Sequence, residues 1–89
     1  MQEIDKIRSE IDQIHGELAN LFQRRLILAK KIWELKKSNN LSFVDPAREA
    51  MIIHRFDDTI ADADGRIAVQ SFFKSLLLES RKYLEAKSK

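Results

Sequence analysis

The chain has 89 residues, 44% of them hydrophobic and 34% charged, with two Gly, one Pro and no Cys. That length predicts a single domain over residues 1–89 whose core is marginal alone, and the absence of cysteine excludes disulfides and thiolate metal sites and fits a reducing, cytoplasmic setting. Sixteen basic and fourteen acidic residues leave a net charge of +2, too near balance to suggest nucleic acid, so any anion specificity must be local.

The opening stretch, MQEIDKIRSEID, is charged throughout, and no apolar run approaches the roughly 20 residues that span a bilayer. Neither a signal peptide nor a membrane anchor is expected. Apolar residues then recur three and four apart at Ile4, Ile7, Ile11, Ile14, Leu18 and Leu21, and again at Leu28, Ile32 and Leu35, which predicts one long amphipathic helix from Glu3 to Lys37. At 1.5 Å per residue it is about 50 Å long, more than a folded monomer of this size covers, so a second chain is its natural cover. KKSNNLS interrupts that helix with turn formers, and VDP starts another, with Asp45 as N-cap and Pro46 at the first helical position. The second helix is expected to reach Ala61 with Ile52, Ile53, Phe56 and Ile60 inward. DADG supplies a short loop, and a third helix covers RIAVQSFFKSLLLESRKYLEA, carrying Phe72, Phe73, Leu76, Leu77, Tyr83 and Leu84 at helical spacing. The fold class is therefore all-α, with one long helix and two shorter ones.

Polar residues that interrupt the apolar pattern carry the functional information. Arg25 occupies a seam position between Leu21 and Leu28, where an unpartnered guanidinium is expensive to bury. Lys36 follows eleven residues later, three helical turns on, so both cations project from nearly one face and reach toward a single anionic group. Arg8 lies seventeen residues before Arg25 and is turned about 100° away. It cannot easily serve the same pocket within one chain, but in a dimer of antiparallel long helices it can enter the partner's. Ser80 falls inside the apolar stripe of helix three, where a serine that bonds back to its own helix is common. His15 and His54 alone cannot build a zinc site.

Taken together, IRSEIDQIHGELANLFQRRLILAKKIWELKK, VDPAREA and FFKSLLLESR resemble the all-helical, type II chorismate mutase family, across nearly the whole chain and in the right order. The matching residues are Arg8, Arg25, Lys36, the trio Asp45, Arg48 and Glu49, and Ser80 within ESR. The resemblance implies an intertwined homodimer with two equivalent sites, each completed by Arg8 of the other chain. It also implies an isomerase that rearranges chorismate to prephenate, on the route to phenylalanine and tyrosine, with no metal and no organic cofactor. By the same resemblance, Arg25 and the partner copy's Arg8 pair with the substrate's two carboxylates, and Lys36 bonds a carboxylate and the breaking ether oxygen. Glu49 accepts from the ring hydroxyl, Asp45 and Arg48 order the entrance and the bound substrate, and Ser80 lies against a carboxylate.

One position departs from the family pattern. Where a Gln or Glu commonly faces the ether oxygen, this chain has Leu84, with Glu85 beside it but about 100° around the helix. A slower mutase, a different chorismate-like substrate, and recruitment of Glu85 each fit this departure. Isochorismate-pyruvate lyase activity, or action on an amino-substituted chorismate, keeps the fold and changes the chemistry. A non-catalytic helical module that binds a partner enzyme or senses a metabolite is the alternative from another class.

Overall fold

The alternating spacing from Ile4 to Leu35 is realised as one uninterrupted helix, α1, over Gln2–Ser38. The computed structural model describes residues 1–88, and over these the chain is helical with no strand. Two acidic residues, Glu3 and Asp5, occupy the first turn of α1 and two basic ones, Lys36 and Lys37, the last, the arrangement that opposes the helix dipole favourably at both ends. Its C-terminus closes on a left-handed residue, Asn40 at φ 54°. The Leu41 N–H donates to the Lys36 carbonyl at 2.8 Å and the Asn40 N–H to the Lys37 carbonyl at 3.4 Å. These are the paired bonds of a Schellman stop, where Asn tolerates the positive φ better than other side chains of its size. The stop turns the chain after Ser38 and leads it back along the end of α1, where Phe43 stacks on Trp33.

Helix α2 spans Pro46–His54. Asp45 caps it as its sequence position implies, accepting a bond from the Arg48 N–H at 3.1 Å, with Pro46 in the first turn. The expected extension to Ala61 does not form. After His54 the chain tightens into a 3-10 turn over Asp57–Thr59, because side chains there compete for backbone and neighbouring groups. The Thr59 hydroxyl donates to the Phe56 carbonyl at 2.8 Å, and the Asp57 carboxylate is held by Gln70 Nε2 at 2.9 Å and lies 3.0 Å from His54 Nδ1. Such local side-chain bonds end helices.

Helix α3 spans Ala63–Lys87 and so absorbs most of the DADG stretch expected as a loop. Asp62 is its N-cap, accepting from the Gly65 N–H at 2.9 Å. Glycine suits that position because a Cβ there would sit 3.1 Å from Asp62 Oδ2. Helices α2 and α3 pack together, α3 packs along the C-terminal half of α1, and Phe56 stacks on Phe73 at 5.6 Å between ring centroids. Every residue of α1 before Leu21 is exposed, and the particle measures 56 × 28 × 15 Å. Leu84 is the one buried hydrophobic residue among those described, and the apolar residues of α1 before Leu21 have no cover within the chain.

Candidate active site

Three elements converge where α1 ends, α2 begins and α3 approaches its C-terminus. Between them lies a cavity of about 210 Å³. From α1 come Arg25, Ala29, Ile32, Trp33 and Lys36, from the connection and α2 come Phe43, Asp45, Arg48, Glu49 and Ile52, and from α3 come Leu77, Ser80, Arg81 and Leu84. The local folding explains the assembly. Arg25, Ala29, Ile32 and Lys36 recur on one face of α1, and the Schellman stop turns the chain so that the first turn of α2 faces that surface. Arg48 and Glu49 therefore reach the cavity from the helix start that Asp45 caps.

Seven of the residues singled out in the sequence line this one cavity: Arg25, Lys36, Asp45, Arg48, Glu49, Ser80 and Leu84. Arg8 does not. It is exposed on the projecting part of α1, about 25 Å along the axis from Arg25 at 1.5 Å per residue. Glu85 is also exposed and outside the lining.

Arg25 is held from a second helix. Its Nη1 donates to the Ser80 hydroxyl at 3.0 Å, and Ser80 is 4% exposed. Ser80 therefore bridges two helices instead of bonding back into its own. Burial pushes the Arg25 pKa below its ordinary value, and the nearby Arg48 guanidinium adds to the effect. Both causes act against the charged form, yet an arginine still keeps its proton at neutral pH. Two guanidinium groups that repel each other across a cavity are stabilised by an anion placed between them.

The sequence did not disclose three further features. Arg81 donates from Nη2 to Glu49 Oε1, an ion pair joining α3 to α2. Trp33 stacks on Phe43 with centroids 4.0 Å apart and an interplanar angle of 12°. Its indole N–H also donates to the Ser88 hydroxyl at 2.7 Å, and that hydroxyl donates to the Leu84 carbonyl at 2.8 Å. Trp33 thus ties the connection before α2 and the end of α3 to the same turn of α1. The stacked rings are ten positions apart in the sequence, one in a helix and one in a connection, so no periodicity in the sequence links them.

Among the described residues, four cationic side chains and two carboxylates line the cavity, an excess of two positive charges. Ile32, Trp33, Phe43, Ile52, Leu77 and Leu84 supply apolar walls. A second concavity of about 510 Å³ lies on the opposite side of Arg25 and is almost wholly apolar, lined by Leu18, Leu21, Phe22, Phe72, Phe73 and Leu76 among others. It continues the exposed stripe of α1, and Arg25 forms part of the wall of both spaces.

The comparisons with known proteins agree on one family. The family described as chorismate mutase type II matches residues 7–85. A protein of Methanocaldococcus jannaschii named chorismate mutase is 29% identical over 87 residues, covering 96% of this chain and 86% of that protein. A bifunctional chorismate mutase/prephenate dehydratase of Aquifex aeolicus is 40% identical over 55 residues, 62% of this chain, and the chain spans only 15% of that protein's length. No solved structure matches the chain.

Proposed function

The chain belongs to the type II chorismate mutase family, and from that premise we propose that it is an isomerase converting chorismate to prephenate. The observation that carries this reading is the cavity's excess of two positive charges, set in apolar walls among the described residues. That environment suits a compact organic dianion. In the rearrangement the ether C–O bond breaks while a C–C bond forms within the same molecule, so atoms and electrons balance without a proton, an oxidant or a second reactant. The enzyme's work is to hold a flexible substrate in its reactive chair and to meet negative charge as it grows on the ether oxygen.

Arg25, fixed by Ser80, pairs with one substrate carboxylate through its planar fork. Lys36 bonds a carboxylate and the ether oxygen, and its ammonium is the main stabiliser of the transition state. Glu49 accepts from the ring hydroxyl through the oxygen that Arg81 leaves free. Asp45 starts α2 and faces the entrance, and Arg48 closes over the bound anion. Trp33, Phe43 and Leu84 enclose the ring and keep water away, which strengthens each of these contacts.

The active unit is an intertwined homodimer. The α1 stripe from Ile4 to Leu35 is 43–63% exposed in the single chain, a contiguous apolar surface of the kind that marks an interface. A partner's α1 covers it and fills the apolar groove. Because Arg25 borders both groove and cavity, a helix lying in the groove brings its own cation, the partner copy's Arg8, to the cavity's open side. No helix of the described residues is long and apolar enough to cross a membrane, and we place the enzyme in the cytoplasm.

The test is a product assay on purified protein with chorismate and, separately, isochorismate. Prephenate from chorismate is the expected result. Salicylate and pyruvate from isochorismate, with no prephenate, would assign the same site to a lyase, and saturable binding without turnover would make the chain a sensor.

A further inference from the structure

Resting on the mutase reading above, we propose that Arg81 is a catalytic residue of this chain, supplying from α3 the hydrogen-bond donor that meets the substrate's ether oxygen opposite Lys36. The wall that α3 presents to the cavity consists of Leu77, Ser80, Arg81 and Leu84, which fall within an arc of about 100° on a helix. Two of the four are leucines without a donor. Ser80 is drawn toward α1 as the acceptor for Arg25, and its neutral hydroxyl is a weaker donor to growing charge than a cation. Glu85 is exposed and does not line the cavity. Arg81 is the remaining polar group on that wall.

Its geometry suits the role. Arg81 is three residues before Leu84, hence about 4.5 Å along the axis and 60° around it, so its longer side chain covers the same region of the cavity. The guanidinium carries five N–H donors in a planar fork. One donates to Glu49 Oε1, which ties the side chain to the α2 wall of the cavity and leaves the other donors available. Lys36 from α1 and Arg81 from α3 then flank the substrate with a cationic donor on each side. Glu49 serves as the positioning partner of Arg81 while its second oxygen receives the ring hydroxyl.

The experiment compares kcat and KM for chorismate in the wild type, Arg81→Met, Arg81→Lys and the double variant Arg81→Met with Leu84→Gln, with circular dichroism and sedimentation verifying each assembly. Arg81→Met is expected to lower kcat by roughly 10- to 100-fold with a smaller change in KM, the signature of a transition-state donor. Arg81→Lys, which keeps one cationic donor, is expected to lose less. Leu84→Gln in the Arg81→Met background returns a donor to the same wall and is expected to recover about 10-fold or more of the lost kcat. Arg81→Met within about threefold of wild type, or a loss that Leu84→Gln does not relieve, overturns the donor role while the mutase reading stands. A folded wild type that forms no prephenate overturns both.

Discussion

Arg25 shows how much one residue can disclose. Its place in an apolar seam raised the question of what accompanies a guanidinium there, and the structure answers with Ser80 at 3.0 Å on another helix. Both residues were legible in the sequence as exceptions to a period, but their bond was not, since 55 positions separate them. The same limit hid the Arg81–Glu49 pair, 32 residues apart. Charge placement on one helix follows from spacing, whereas pairing across helices depends on how they cross. At this scale Lys36→Ala is expected to lower kcat/KM for chorismate by roughly 10²-fold or more. Arg25→Ala is expected to raise KM as well, because it removes a ground-state contact to a carboxylate. Circular dichroism should show both variants fully helical. Wild-type activity in either one contradicts the roles assigned to these cations.

Helix boundaries were legible where one signal dominated. The long apolar period placed α1 to within a residue at each end, and Asp45 with Pro46 marked the start of α2 correctly. The end of α2 was not legible because Ile60 continues the apolar spacing, whereas the backbone follows the polar residues between. Asp57 is the key group. Hydrogen bonds from Gln70 and from His54 hold its carboxyl below the ordinary value of 3.8, with the charges of His54 and Arg66 adding to that and burial opposing it. A carboxyl whose folded pKa is depressed contributes stability above its unfolded pKa, and that contribution is lost as pH falls through the folded value. Asp57 therefore fastens the turn after α2 to α3 at neutral pH and releases it in acid. Thermal unfolding followed from pH 7 down to about pH 2 is expected to show a smaller acid-induced fall in Tm for Asp57→Asn than for wild type, since the variant lacks the titrating group. Equal acid slopes contradict this role. At the start of α3, Gly65 looked like part of a loop but serves the Asp62 cap, a use of glycine that composition alone does not distinguish from a break.

At the scale of the molecule, the single chain leaves much of its apolar surface uncovered. Its long helix carries an exposed apolar stripe, its groove is apolar, and Arg8 stands far from the residues it would need to join. The sequence indicated that the stripe needed a cover, because its length exceeds what an 89-residue chain can bury, but it held no signal for the aromatic clamp that Trp33 makes with Phe43 and Ser88. If the active unit is a two-fold dimer with shared sites, defects in different chains should complement each other. Arg8→Ala and Lys36→Ala are each expected to be nearly inactive alone. When the two chains are mixed, unfolded and refolded together, half of the dimers formed at random are hybrids, and each hybrid holds one site with both Lys36 and the partner copy's Arg8 intact. Recovery of about a quarter of wild-type prephenate formation is expected in the mixture. No recovery from that mixture, with the wild type active and hybrids verified by mass, would show that each site is built within one chain and would contradict the shared cationic pocket.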